Sequence, residues 1–459
     1  MTISSSPKPS PSPVAENIPP AVQNELTTTG FLAKSNYSRP LSLAALAIGN
    51  YLLLYVANIA LARQLSAADF DDYSVALSLV TVLSTFATLG LEKYALRCIP
   101  VYRERGDWGH ARGFWRFSLG ATVGLSVGLV LLLASSLEVI LYSRHADSHA
   151  AMLVLVAFLP AVTAVLFLVE VATAAGAQIQ AVVIYRFLLP ASFFVLISLG
   201  NLFELGTTAI GVGICYGLAW LIALMAIHYL VKHSMPEDFW HAQPHFLRRK
   251  WLRRAAPFLI NSSMLSLMAS SGVIILELLF TSESVVGTFA IAAQTGTFIV
   301  LLANTTNRFY LPLMSLYLER RDKASMRRLL VHRIGVMSGL SLLFLSVVVL
   351  LGEDILAWFG PKFRDGYPAL CVLAVGASVN AMFSDSPYYL QFMKRERQVF
   401  YTSAVALVMN LGLTATLGYY LGAVGAAYGY AISMSFLFLS QRLQASHHFA
   451  RHWTSAGDT

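Results

Sequence analysis

Charge is scarce in this chain. Of its 459 residues only 12% are Asp, Glu, Lys or Arg, against 56% apolar. A soluble protein carries about a quarter charged residues to cover its surface. The shortfall excludes a chain that meets mostly water and leaves lipid as its main surroundings. Cysteine is scarce too: Cys98, Cys215 and Cys371 lie far apart, each in or beside an apolar run. That spacing excludes a disulfide framework or a clustered metal site and suits small packing residues. No Gly-x-x-x-x-Gly-Lys-Ser/Thr motif occurs, which excludes ATP hydrolysis by that route. Residues 1–40 hold no apolar signal core or small-residue cleavage site. Their Ser, Pro and Thr content predicts a disordered cytoplasmic tail.

What is abundant is long apolar runs. A membrane helix needs about 20 mostly apolar residues, since it rises 1.5 Å per residue across roughly 30 Å of hydrocarbon. Twelve stretches qualify: 41–61, 73–91, 117–136, 150–171, 181–199, 208–231, 255–280, 285–310, 334–351, 367–389, 400–420 and 423–443. They are continuously apolar, whereas a membrane β-barrel would alternate in segments of about ten. The predicted fold class is an all-α membrane protein.

Lys and Arg orient it. With the N-terminus cytoplasmic and the span count even, only Arg63, Arg144, Lys362 and Arg364 of the 32 cations fall in outer segments. The remaining 28 fall inside, a strong positive-inside bias that places both termini in the cytoplasm. Most of the net charge of +8 is thereby a topology signal and not a nucleic-acid footprint. The expected organisation is a tail (1–40), an N-lobe of helices 1–6 (41–231), a basic linker (232–254), a C-lobe of helices 7–12 (255–443) and a second tail (444–459).

The halves resemble each other. At a shift of 215, Tyr102, Glu104, Arg105 and Asp107 fall on Tyr317, Glu319, Arg320 and Asp322, and Lys93 falls on Arg308. At a shift of 212, the run Val212-Gly213-Ile214-Cys215-Tyr216-Gly217 falls on Val424-Gly425-Ala426-Ala427-Tyr428-Gly429. Repeats with an even number of spans share one orientation. They predict two six-helix lobes about an axis along the membrane normal, with substrate between them.

Several ordered motifs carry a family resemblance. They are Ala62-Arg63-Gln64-Leu65-Ser66 through Asp69-Phe70 to Tyr73, then Leu89-Gly90-Leu91-Glu92-Lys93 ahead of Arg97 and Tyr102-Arg103. The second half adds Val286-Gly287 with Phe289, Pro312 with Ser315, and the Gly-rich run Leu421–Ala427. Over about 40–445 the chain resembles the polysaccharide-transport branch, with the O-antigen flippases, of the multidrug/oligosaccharidyl-lipid/polysaccharide flippase (MOP) superfamily. Asp71 departs from that pattern, standing where the family usually has Gly. The resemblance implies a MATE-like fold of two helical lobes in a bacterial inner membrane. It also implies an undecaprenyl-diphosphate-linked oligosaccharide moved to the outer leaflet, with ion-gradient coupling in several members. Polysaccharide polymerase and chain-length proteins are the partners such a role would involve.

Ionisable residues inside spans are costly and are functional candidates by default. Glu170, Arg186, Glu277 and Asp385 lie within spans, and Arg63, Glu92, Lys93, Arg97 and Arg308 at their ends. A diphosphate calls for cations, and Arg offers it a bidentate fork. The candidate substrate ligands are Arg63, Lys93, Arg97, Arg186 and Arg308, whose alternative role is snorkelling or topological anchoring. Glu170 and Asp385, each in the fourth span of its half, are candidate H⁺ or Na⁺ carriers; the alternative is an internal salt bridge. No other cofactor and no metal is expected. His447, His448 and His452 are the one weak metal cluster in the sequence.

The reading that follows is a flippase of polysaccharide biosynthesis. A multidrug or metabolite cation antiporter of the same superfamily is the alternative. An enzyme such as a sugar polymerase would need a larger outer segment than the longest one here, about 352–366. A passive scaffold would not need Glu170, Arg186 and Asp385 inside spans.

Overall fold

Each of the twelve apolar stretches is mostly helical where its backbone is described, with short breaks at 88–90, 158, 297 and 384–385. The computed structural model describes residues 38–141, 146–200, 208–280, 285–320 and 322–454, and among these every regular element is helical. The chain forms two units, Met1–Leu46 and Ala47–Thr459. Of the first, only 38–46 is described, as the beginning of a helix.

The first half runs α1 (Ser38–Gln64), α2 (Ala67–Ala87), α3 (Leu91–Glu104), α4 (Trp108–Leu141), α5 (Ala146–Ala157) and α6 (Leu159–Ala174). It continues with α7 (Gln178–Val183), a π turn (Ile184–Leu188), α8 (Leu189–Gly200) and α9 (Ala209–Ser234). A short α10 (Glu237–His241) bridges to the second half. There follow α11 (Arg248–Leu279), α12 (Val285–Gly296), α13 (Phe298–Glu319), α14 (Lys323–Ala357), a 3₁₀ turn (Pro361–Gly366), α15 (Tyr367–Phe383), α16 (Ser386–Phe392) and α17 (Glu396–Thr454).

By length and composition eight of the described helices can cross a membrane, or nine if the bent pair α2–α3 counts as one span. Two predicted spans share α17, which is folded back at Gly422 (φ 58°). Added Cβ atoms on Gly425 and Gly429 would press on Leu417 and Thr414. Residues fifteen apart in a straight helix would stand about 22 Å apart, so α17 is a tight hairpin.

Helices overrun the apolar stretches at polar ends. The second stretch extends through a 42° bend to Glu104. The bend is made by Leu89 (φ 55°) and Gly90 (φ 68°), both left-handed. Gly90 is required twice over, since a Cβ there would stand 2.5 Å from the Leu259 nitrogen. Much of the linker 232–254 is likewise helical, in the ends of α9 and α11.

Apolar side chains face outward along the rods. Leu350 is 77% exposed and Val408 71%. Unfavourable in water, this exposure matches hydrocarbon. The repeat is visible at its first matched motif. Asp107 N–H donates to the Tyr102 carbonyl (2.9 Å) and Asp322 N–H to the Tyr317 carbonyl (3.0 Å). The Asp107 carboxylate then accepts from His110 N–H (3.2 Å), and the Asp322 carboxylate from Ser325 N–H (3.0 Å). Each aspartate caps the helix that follows it. The second matched motif diverges: Gly213 and Gly217 of α9 press on Leu155 and Phe158, whereas Gly425 and Gly429 press on their own hairpin.

Candidate functional site

The two halves close on each other where α1 ends and α2 begins. Arg63 donates from Nε to the Trp358 carbonyl (2.7 Å). Tyr55 meets Phe359 edge-on at 5.0 Å between centroids, and Phe70 meets Phe363 at 5.6 Å. One layer deeper, Asn58 Nδ2 donates to Gln294 Oε1 (2.9 Å), and the Tyr55 hydroxyl bonds the Thr295 hydroxyl (3.0 Å). The Tyr51 hydroxyl donates to the Gln294 carbonyl (2.5 Å).

Asp71, the departure from the family pattern, completes this seal. Its Oδ1 accepts from Gly287 N–H (2.9 Å), and the side chain is buried. Gly287 lies in the first turn of α12, where N–H groups lack helical partners and the helix dipole favours an anion. A Cβ at Gly287 would stand 2.4 Å from Asp71 Oδ1 and 2.8 Å from the Phe70 ring. Asp71 and Gly287 thereby fit each other across the two halves.

Away from the seal, α3, α6 and the π turn bring candidate residues together. Lys93 Nζ forms an ion pair with Glu170 Oε1. The lysine side chain remains 46% exposed and the glutamate 19%. Glu92 is buried beside Lys93, so the cation stands between two carboxylates. Tyr185, in the π turn, is within electrostatic reach of Lys93, Glu170 and Arg186. One turn beyond Lys93 on the same face, exposed Arg97 lies over the Phe258 ring of α11 at 6.0 Å. Arg186 is half-buried, and its carbonyl accepts from the Asn50 amide (2.6 Å), with that amide oriented to satisfy both of its groups.

A second ion pair lies in the other half. Arg333 Nη1 donates to Asp385 Oδ1 at 2.6 Å, and each side chain is 1% exposed. The Asn307 side-chain oxygen accepts from Arg333 Nη2 (2.8 Å) and Nε (3.2 Å). Ser384 Oγ accepts from Nη2 (2.8 Å), and the Met382 carbonyl from Nη1 (2.9 Å). The guanidinium is fully enclosed by acceptors, as a buried charge requires.

The candidate residues thus divide. Lys93, Glu170 and Arg186 form one neighbourhood, with Arg97 one turn away. Arg63 belongs to the seal and Asp385 to a sealed salt bridge. The backbone of Arg308 lies in α13, and its side chain is outside the described residues. By sequence Arg333 falls in an inner segment, yet its side chain is fully buried. Its place at the very edge of an apolar run hid it. Among the described residues no group of three or more His, Cys, Asp or Glu could hold a metal. His448 bonds Gln398 (2.9 Å), and His452 has no described side chain.

No curated protein matches the chain. Among solved structures, the chain is similar to a multidrug resistance MATE family transporter of the MOP superfamily in an inward-facing conformation. That match has a TM-score of 0.68 at 15% identity and covers 88% of this chain and 98% of that one. It is also similar to the lipid II flippase MurJ in an inward closed conformation (TM-score 0.65, 13% identity, 88% of this chain and 87% of that one). A third similar structure is a Pyrococcus furiosus MOP superfamily transporter noted for the reversed polarity of its binding pocket (TM-score 0.61, 14% identity, 90% and 95%). These likenesses show a MATE-like, all-helical fold. The sequence profile of the polysaccharide biosynthesis proteins matches residues 40–318, well over half of the sequence, and the chain belongs to that family.

Proposed function

We propose that this protein is a flippase that carries an undecaprenyl-diphosphate-linked oligosaccharide from the cytoplasmic to the outer leaflet of a bacterial inner membrane. The topology proposed with it is twelve spans with both termini cytoplasmic, resting on the 28-to-4 bias of Lys and Arg. The observation that carries the substrate reading is the exposed Lys93, held by Glu170 and followed one turn later by Arg97. A diphosphate oxygen competes with the Glu170 carboxylate for the Lys93 ammonium. Protonation of Glu170 frees that ammonium for phosphate, and departure of the phosphate returns it to the carboxylate. This exchange couples a proton to an anion without any bond of the substrate being broken. The seal at Arg63, Asp71 and Gly287 supports a form closed at one face while Lys93 is reached from the other, as alternating access requires.

A second reading is a multidrug or metabolite antiporter, favoured by the fold likeness to MATE transporters. Export of cations would use Glu170 and treat Lys93 as its resting counter-ion. Deleting the gene separates the two. A flippase loss lowers surface polysaccharide while diphosphate-linked oligosaccharide accumulates on the cytoplasmic leaflet. Unchanged polymer and lipid-linked pool, with new sensitivity to cationic drugs, would replace the flippase reading with the antiporter.

A further inference from the structure

Beyond the transport reading, the second half holds a cavity of ≈ 200 Å³ between α14 and the last turns of α17. Arg327, Leu330 and Val331 line it from one helix at positions i, i+3 and i+4. Arg442 and Phe449, two turns apart, line it from the other, and Tyr389 of α16 closes its side. Two arginines therefore line one largely apolar space.

Its electrostatics are unbalanced. Among the described residues, no hydrogen bond or ion pair is made by Arg327 or Arg442. Arg442 also lies close enough to Arg333 to repel it. Asp385 is bound to Arg333, and among the described residues no carboxylate is paired with Arg327 or Arg442. Excess positive charge beside hydrocarbon is unfavourable unless an anion answers it. The rim is apolar and exposed, with Val331 63% exposed and Leu443, next to Arg442, 69% exposed. The same end of the bundle carries Lys323, Arg328, Lys394, Arg395 and Arg397.

We propose that this cavity binds the phosphate headgroup of an anionic membrane phospholipid. Arg327 and Arg442 take the phosphodiester oxygens, and Leu330, Val331 and Phe449 carry the start of an acyl chain. Charge complementarity selects the anion, and the exposed apolar rim selects a lipid over a soluble phosphate. The lipid supplies the counter-charge that the protein omits.

The test uses the full chain in phosphatidylcholine nanodiscs containing phosphatidylglycerol, with retained lipid counted by native mass spectrometry. The wild type is expected to retain phosphatidylglycerol over phosphatidylcholine. In R327Q/R442Q that preference falls by about thirtyfold, while R327K/R442K keeps part of it. Ser446→Trp fills the cavity with both charges intact, and it too is expected to lose the lipid. Undiminished preference in both R327Q/R442Q and S446W would overturn the site. Displacement of the lipid by inorganic phosphate as effectively as by added phosphatidylglycerol would overturn the lipid assignment in favour of a free-anion site.

Discussion

Glu170 and Asp385 stand 215 residues apart, the same shift that relates the two helix-capping aspartates. Both are paired with a cation, yet the pairs differ in kind. Lys93–Glu170 is accessible and joined by one contact between two side chains. Arg333–Asp385 is enclosed, and its guanidinium is bound at several atoms by Asn307, Ser384 and Met382. The residue 215 positions before Arg333 is Ser118, which carries no charge. One half thus holds a carboxylate with a single accessible partner, and the other a carboxylate enclosed with an arginine that joins three helices. The difference teaches that an in-span charge is not by itself a working one: access and the number of partners decide.

The comparison breaks most visibly at the enclosed pair. Asp385→Leu leaves Arg333 buried without its counter-charge and should cost about 3–5 kcal/mol. The measurement is thermal unfolding of detergent-purified protein, together with yield in the membrane. R333M/D385L should recover most of that loss. A D385L protein of normal stability that fails only in transport would give Asp385 the coupling role instead.

Next in size is Lys93→Met. It should lower transport of a lipid-linked diphosphate by about 10- to 100-fold, the worth of one charged hydrogen bond. The unfolding midpoint should barely move, because exposed ion pairs contribute about 0–1 kcal/mol. Reconstituted vesicles with a fluorescent lipid-diphosphate sugar would read it, and Lys93→Arg should retain activity. Glu170→Gln gives the complementary result: substrate binds a few-fold tighter, since the competing carboxylate is gone, and transport loses its dependence on pH. An E170Q protein with a wild-type pH profile would remove Glu170 from coupling.

The smallest effect concerns the caps, which the two halves share. Hydrogen bonds from Ser325 hold the Asp322 carboxyl below its ordinary range. Burial is the largest single influence on the Asp107 carboxyl and would raise it, but the bonds from His110, with the nearby His110 and His245 rings, together outweigh it and lower it. A carboxyl depressed in the folded state stabilises it above the ordinary carboxylate range, and loses that contribution as pH falls through the folded value. Asp322→Asn keeps the cap and should flatten the acid limb of thermal stability. An unchanged limb would mean that other carboxylates set it.

Sequence made the membrane class, the helices and the repeat legible, because apolar length and spacing are one-dimensional signals. Glu170 and Asp385 were legible as in-span carboxylates for the same reason. Their partners were not. Lys93 lies 77 residues from Glu170 and Arg333 lies 52 from Asp385, so only the packing of helices decides the pairing. Arg333 read as a loop cation because it directly precedes an apolar run. Asp71 read as an exception to a pattern until Gly287, 216 residues away, supplied its N–H. The cavity at Arg327 and Arg442 was invisible as well, since both counted only toward orientation.

The π turn at Ile184–Leu188 has a consequence for register. A π turn holds one residue more than an α turn, so the faces of α7 and α8 are offset by that extra residue. Converting the turn to α would swing everything beyond it by about 100° around the helix axis. Tyr185 and Arg186, inside the turn, sit at the pivot of that swing. A single-residue deletion there would restore a regular helix, whereas elsewhere in a span it would turn one whole face away from its neighbours.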